Sequence, residues 1–210
     1  DDGFVYTDAG FSPDGRYLSC VRDPGTDLII AQKLNHGGPR DLYVRPAAGG
    51  EPVNLTASWD LEPGPTRWSP DSRFIYFTAA IGGENHLFRT SVPEGRVEQV
   101  TRGPRRIGSV SFDRTLTTMA YTVGVLEAPP EIFVARIDGT GERRLTDVHA
   151  AIVSEVAFSR AERLKWPSRD GTEIVGWLLY PYGYDPKRGP YPLIVTSHGG
   201  PHSATGYAFP

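Results

Sequence analysis

Phe11-Ser-Pro-Asp-Gly-Arg-Tyr-Leu18 is the stretch that decides the fold, because the chain repeats it as Trp68-Ser-Pro-Asp-Ser-Arg-Phe-Ile75. A third and more divergent copy, Phe112-Asp-Arg-Thr-Leu-Thr-Thr-Met119, aligns with both without gaps. Each copy places an aromatic residue before a turn and a strand-like run after it. The sequence therefore predicts three copies of one β-rich unit.

Two further patterns repeat downstream of these copies. The strand-like triplets that begin at Leu42, Leu87 and Ile132 lie about 45 residues apart. A threonine that follows an aliphatic residue keeps the same spacing, at positions 56, 101 and 146. A repeat of about 45 residues with room for four short strands is typical of a β-propeller blade and not of a helical solenoid. We therefore predict an all-β propeller over residues 1–150, with three four-stranded blades.

The turn of the first copy, from Ser12 to Gly15, has the chemistry of a type I turn, with proline at its second position and glycine at its fourth. The third copy has lost the proline and the aspartate, so we expect its turn to differ in detail. Ser12 lies in a glycine-flanked setting, but the spacing is not that of a nucleophile elbow, and the motif joins two strands. We interpret Ser12 as a turn residue.

The first copy carries an insertion between its second and third predicted strands. About a dozen extra residues lie within Pro24 to Arg40. Loops of this length are often functional, and a long loop costs little additional closure entropy. Because strands alternate in direction, this loop and the end of the fourth strand share one end of the blade. We therefore expect the insertion to face the domain that comes after the blades, unless Val156 to Ser159 pairs as an extra strand and reverses the exit of the chain.

Composition excludes several classes of function. Hydrophobic residues make up 39% and charged residues 22% of the 210 residues, which is typical of an ordinary globular chain. No apolar run approaches the ~20 residues of a membrane span, and the net charge of −3 leaves no basic footprint for nucleic acid. The single Cys20 excludes an internal disulfide and a cysteine-rich metal site. We predict no nucleic-acid or membrane partner, no metal and no cofactor.

Residues 151–210 carry a different pattern. Two strand-like runs, Arg163 to Trp166 and Glu173 to Tyr180, flank an Asp-Gly pair that predicts a hairpin turn. Trp177 in this hairpin is expected to face a core or an interdomain seam, and a core is the commoner environment of such a residue. Further on, Leu193 to Val195 is a short apolar run that predicts a buried strand of an α/β sheet.

The predicted strand ends in His198-Gly199-Gly200-Pro201. Paired glycines let backbone N–H groups approach a ligand atom closely, as an oxyanion hole requires, and a His-Gly-Gly loop after the third strand is its usual form in α/β-hydrolases. On these four residues alone, a simple strand-to-loop turn remains an equal alternative.

Together, these motifs resemble those of the prolyl oligopeptidase family of serine peptidases, nearest to its acylaminoacyl-peptidase-like branch. The resemblance rests on the Ser-Pro-Asp-Gly repeats, the Asp-Gly-Thr hairpin and the Tyr-Pro-Leu-Ile-Val strand that ends in His-Gly-Gly-Pro. It covers nearly the whole chain. It implies the last blades of a propeller over residues 1–150, and a linker with the first strands of an α/β-hydrolase domain over residues 151–210. The activity implied is the hydrolysis of short peptides by Ser-Asp-His acyl transfer.

The same resemblance assigns the site residues. The second glycine of the motif, Gly200, contributes its backbone N–H to the oxyanion hole, beside Gly199 in the same loop. His198 is expected to organise the loop and not to act as the catalytic base. The family has seven or eight blades, so the chain is expected to be a fragment whose nucleophile, acid and base lie beyond Pro210.

Other functions remain open at this stage. An esterase or amidase would use the same machinery on other acyl groups. A non-catalytic binding propeller is disfavoured because it has no reason to continue into an oxyanion-type loop. The unpaired strand edges of three blades predict that the isolated 210 residues tend to associate. A homo-oligomer is also open. The sequence does not decide the compartment, although a cytoplasmic location is preferred over a periplasmic one.

Overall fold

The computed structural model describes residues 2–34, 38–199 and 204–209. Nearly all of the regular structure is β-strand. The strands of the first 150 residues are β1 (Phe4–Phe11), β2 (Tyr17–Pro24), β3 (Asp41–Pro46), β4 (Val53–Asn54), β5 (Thr66–Trp68), β6 (Phe74–Ile81), β7 (Glu84–Ser91), β8 (Val97–Gln99), β9 (Arg106–Phe112), β10 (Thr118–Val125), β11 (Ala128–Arg136) and β12 (Arg143–Arg144). A short helix, α1 (Thr26–Ala31), lies between β2 and β3. The later elements are α2 (Ala150–Glu155), β13 (Ala161–Pro167), β14 (Glu173–Leu179) and a 3-10 helix (Pro186–Arg188).

The first twelve strands form three antiparallel units in chain order. The first blade is β1 to β4, the second β5 to β8 and the third β9 to β12, and we name the strands of each blade A to D. A single parallel bridge between Asn85 and Arg106 connects the second and third blades. These units confirm the predicted propeller blades and their repeat.

The hydrophobic core lies between the blades, in two clusters. One cluster joins the first and second blades and contains Val21, Leu42, Val44, Leu55, Ile75, Phe77, Ala79 and Phe88. The other joins the second and third blades and contains Tyr76, Leu87, Ile107, Leu116, Met119, Tyr121, Val123 and Ala135. The middle blade is therefore buried on both faces, since successive side chains of a strand point to opposite sides.

The three A–B turns share one backbone conformation. Gly15, Ser72 and Leu116 all adopt a left-handed φ, at 72°, 59° and 51°. The amide of each donates to the carbonyl three residues earlier, at 2.8 to 3.2 Å. Glycine is suited to this φ, whereas serine and leucine adopt it at a cost. The backbone of the turn is therefore retained where the sequence diverges.

The side chains of the third turn differ from those of the first, as predicted. A carboxylate and a hydroxyl exchange their positions in the hydrogen-bond pattern. In the first turn, the Ser12 hydroxyl donates to Asp14 at 2.7 Å and accepts from the amide of Tyr17 at 3.0 Å. In the third turn, the carboxylate of Asp113 takes the place of that serine and accepts from the Thr115 hydroxyl and from the amide of Thr118. The interpretation of Ser12 as a turn residue is confirmed.

The insertion in the first blade contains the helix α1, where the sequence predicted only a loop. The amide of Gly25 donates to the carbonyl of Gly3 at 2.8 Å, and the Leu28 side chain lies against Gly3. The insertion is thereby attached to the beginning of β1.

The predicted hairpin after the blades is confirmed as β13 and β14, which pair with each other from Ala161 with Leu179 to Pro167 with Glu173. The amide of Gly171 donates to the carbonyl of Ser168 at the turn. No helix in the described part of the chain is long and apolar enough to cross a membrane.

The predicted buried strand at Leu193 to Val195 is wrong. These residues belong to no strand, and their exposed fractions are 72%, 87% and 82%. A buried strand needs hydrogen-bonded neighbours and a layer of side chains over each face. Among the described residues, β13 and β14 pair only with each other, so no strand is present to pair with this run.

Candidate functional site

The glycine motif that the sequence singled out is only partly described. His198 and Gly199 are exposed, and His198 Nδ1 lies 3.0 Å from the carbonyl oxygen of Gly199. An imidazole N–H that donates to this carbonyl would restrain the loop locally. Gly200, the predicted oxyanion donor, and Pro201 lie outside the described residues, so the oxyanion role stays a prediction.

The chain just after this motif lies on the B–C end of the blades. The amide of Tyr207 donates to the carbonyl of Gly83 at 2.9 Å, and a guanidinium N–H of Arg106 donates to the carbonyl of Ala204 at 3.4 Å. Gly83 belongs to the B–C turn of the second blade, and Arg106 begins strand A of the third. Residues 204–209 therefore contact two blades at once.

The B–C turn of the second blade is a two-residue hairpin, Gly82-Gly83, closed by the pair of Ile81 with Glu84. Both glycines have a left-handed φ, at 57° and 88°. A two-residue hairpin with positive φ at both positions is the tightest connection between twisted strands, and Gly-Gly is one of its preferred sequences. The turn therefore has little freedom to adjust.

The chain beyond the blades packs directly against Gly83 of this turn, which is buried. A Cβ atom at Gly83 would overlap the ring of Trp177 and lie 3.2 Å from the Cα of Gly206. A Cβ atom at Gly206, which is buried, would overlap the carbonyl of Gly83. The two backbones therefore touch at a position where only glycine fits on either side.

Aromatic side chains hold residues 204–209 from the other direction. Trp177 of β14 meets Tyr207 edge to face, with ring centroids 5.8 Å apart, and Phe158 meets Phe209 at 5.1 Å. Edge-to-face pairs of this kind contribute about 0.5–1.5 kcal/mol each beyond their buried area. Trp177 thus lies at a seam between the blades and the later chain, which is the less common of its two predicted environments.

A shallow cavity of about 410 Å³ opens beside this seam. Its lining comes from the B–C ends of the second and third blades and from residues 207–209. The lining residues are Asn85, Arg106, Ile107, Gly108, Thr122, Gly124, Pro130, Tyr207, Ala208 and Phe209. The described residues contain no group of three or more His, Cys, Asp or Glu side chains that could hold a metal ion.

A buried polar chain stabilises the base of the second-blade turn. His86 is fully buried, with Nε2 2.8 Å from a carboxylate oxygen of Glu84 and Nδ1 3.2 Å from the Thr101 hydroxyl. The same hydroxyl accepts from the amide of Leu87 at 2.9 Å. Buried polar groups that are fully paired rigidify their surroundings. Glu84, next to Gly83, is therefore anchored to the interior of the blade.

The same threonine position recurs in the other blades and explains the repeat of threonine in the sequence. Thr56 bonds to Asp41 at 2.7 Å, and Thr146 donates to Glu131. The hydrogen bond from Thr146, with further bonds from the amide and ring of His149, lowers the pKa of Glu131 to about 2. This carboxylate attaches the chain leaving the third blade.

The sequence offers a seam as one environment of Trp177 but does not identify the blade residues that form it. The Gly-Gly pair at 82–83 is a recognisable hairpin signal, but nothing local to it shows that Gly206 lies against it. His86 also carries no motif. The residues predicted from the sequence, His198 and Gly199, are neighbours in the chain, and the structure adds the second-blade turn as the support for residues 204–209.

Among known proteins, this chain is similar in sequence to peptidases. Dipeptidyl-peptidase 5 of Porphyromonas gingivalis is 25% identical over 196 residues, which cover 92% of this chain and 27% of that protein. A protein of Bacillus subtilis named as an uncharacterized peptidase is 28% identical over 142 residues, 68% of this chain and 21% of that protein. The chain thus spans about a quarter of the length of these curated relatives. No family model matches it.

Solved structures show the same fold. The acylaminoacyl peptidase of Pyrococcus horikoshii superposes with a TM-score of 0.70 at 22% identity, covering 93% of this chain and 28% of that one. An acylaminoacyl peptidase in complex with Z-Gly-Gly-Phe-chloromethyl ketone gives 0.71 at 22% identity, with the same coverage. Both matches run through the blades and into residues 151–209. The chain therefore has the fold of the corresponding region of acylaminoacyl peptidase structures.

Proposed function

We propose that this chain is part of a serine peptidase of the prolyl oligopeptidase family that hydrolyses short peptides. The observation that carries the proposal is the extent of the similarity, which continues beyond the blades. A match to 92% of the chain must extend past the propeller repeats into residues 151–210. A binding propeller alone would give no reason for the match to continue past residue 150.

In the proposed mechanism, residues 151–210 begin an α/β-hydrolase domain, and the nucleophilic serine, aspartate and histidine come from sequence outside these 210 residues. We call the longer protein the parent protein. The backbone N–H of Gly200 stabilises the negative charge that develops on the substrate carbonyl oxygen, and an amide after the nucleophile supplies the second donor. His198 and Gly199 fix the loop that presents Gly200. The reaction proceeds through a covalent acyl-enzyme.

The blades restrict access in this proposal. Their B–C end lies against residues 204–209, a few positions after the motif, which supports a route for the substrate past the blades. The ligand of the solved acylaminoacyl peptidase complex is a short peptide analogue, which supports short peptides as the substrate class.

The test is a substrate panel on the parent protein: a dipeptidyl p-nitroanilide, an N-acetylaminoacyl p-nitroanilide, a p-nitrophenyl ester and intact casein. We expect hydrolysis of the peptide substrates and little of casein. Cleavage of the ester alone would favour the esterase alternative. No cleavage of any substrate would favour a binding propeller and contradict the proposal.

A further inference from the structure

The turn Gly82-Gly83 makes a close contact that blade architecture alone does not require. A propeller blade needs a connection between strands B and C, but it does not need that connection to touch a later segment of chain. Here the carbonyl of Gly83 accepts from the amide of Tyr207, and the backbone of Gly206 lies directly on Gly83. The contact occurs six residues after Gly200, the proposed oxyanion donor.

The two sides of the contact differ in how firmly they are held. The turn is a tight hairpin whose first strand residue, Glu84, bonds to the fully buried His86. Residues 204–209, in contrast, form no strand or helix. Their described contacts are with Gly83, with Arg106 and with the rings of Trp177 and Phe158. The blade side of the contact is therefore the more extensively bonded of the two.

We propose that the Gly82-Gly83 turn of the second blade is a positioning element for catalysis. It fixes Gly206 and Tyr207, which follow the proposed oxyanion donor Gly200 by six and seven positions. Gly83 acts only through its backbone, by its carbonyl and by the absence of a side chain. This inference rests on the proposed peptidase function and adds to it a propeller residue that acts on turnover without touching the substrate.

The expected effect follows from the geometry. A methyl group at Gly83 overlaps the Trp177 ring and crowds Gly206, so the segment or the ring must move. Misplacement of a catalytic group by about 1 Å can cost about 10²-fold in rate. Because the contact holds residues that follow the proposed oxyanion donor closely in the chain, we expect kcat to fall about tenfold in Gly83→Ala while KM changes less than threefold.

The matched control is Gly15→Ala in the parent protein. Gly15 has a similar φ of 72°, but a Cβ atom there meets nothing within 4 Å. It therefore carries the backbone cost of the substitution without the contact. Gly206→Ala is the second variant, because it blocks the same contact from the side of the later segment and leaves the blade unchanged.

Two readouts separate positioning from general stability. Hydrogen exchange at the Tyr207 amide should be protected in the wild-type parent protein and in Gly15→Ala, and faster in Gly83→Ala and Gly206→Ala. Peptide hydrolysis should show the loss of kcat in the latter two variants only. If Gly206→Ala and Gly83→Ala keep the kcat of Gly15→Ala, the positioning role is overturned while the peptidase function stands.

If the proposed peptidase function is wrong, the experiments give a different result. A wild-type parent protein that cleaves no peptide overturns both proposals, whatever the exchange data show. If Gly83→Ala does not fold, Gly206→Ala alone decides the outcome. A rise in KM at unchanged kcat in that variant would assign the contact to substrate binding and would also overturn positioning.

Discussion

Replacement of Phe77 by alanine should loosen the first blade from the second. Phe77 is 1% exposed, and it stacks on Phe88 with centroids 6.1 Å apart and meets Trp59 edge to face at 5.3 Å. Phe→Ala in a core costs about 3–5 kcal/mol, because lost transfer energy and a residual cavity add. The loss of two aromatic contacts places this site at about 4 kcal/mol within that range. Phe77→Leu, which retains much of the volume, should cost about 1.5 kcal/mol.

Urea unfolding of the parent protein, followed by tryptophan fluorescence, measures this difference, because Trp59 and Trp68 both pack against the cluster that contains Phe77. At an m-value of about 2 kcal/mol per molar urea, a loss of about 4 kcal/mol lowers the midpoint of the propeller transition by about 2 M. Phe77→Leu is the control, because it keeps much of the side-chain volume and should lower the midpoint by less than about 1 M. Equal shifts for Phe77→Ala and Phe77→Leu would refute the interblade core.

Three further predictions concern charge, catalysis and access. The pKa of Glu131 falls from 4.5 to about 2 on folding. The ionised carboxylate therefore stabilises the fold above pH 4.5, and this contribution is lost as the pH falls toward 2. Glu131→Gln should therefore lower the thermal midpoint at pH 7 and flatten its decline over that range, and an unchanged slope would contradict this. Gly200→Pro removes the predicted N–H donor and should lower kcat by about 10²-fold or more, and normal turnover in a folded variant would exclude Gly200 from the site. Shortening the insertion within Pro24 to Arg40 should change which peptide lengths are cleaved, and an unchanged length profile would contradict its expected position.

Local chemistry predicted the blades well. The A–B turns are encoded in a few adjacent residues, since Ser12 and Asp14 bond within the turn itself and Gly15 supplies the left-handed φ. The repeat of about 45 residues then indicated the number of strands. Even the diverged turn at Asp113 follows the same hydrogen-bond plan, because a carboxylate and a hydroxyl can exchange places there.

The features that the sequence did not predict depend on contacts between residues that are distant in the chain. The run Leu193 to Val195 has the composition of a buried strand, but burial needs partner strands, and none lies beside it among the described residues. The environment of Trp177 was open from the sequence because its neighbours, Gly83 and Tyr207, are not adjacent in the chain. The seam at the second-blade turn could be found only in three dimensions.

The most direct test of the proposed function is labelling of the parent protein with a fluorophosphonate, with subsequent mapping of the modified residue. We predict stoichiometric labelling of one serine outside these 210 residues and loss of peptide hydrolysis in parallel. We also predict no labelling of Ser12 or Ser69, whose hydroxyls are engaged in their turns. Labelling of any serine within this chain, or peptide hydrolysis that survives complete labelling, would contradict the assignment of the chain to a serine peptidase with its nucleophile elsewhere.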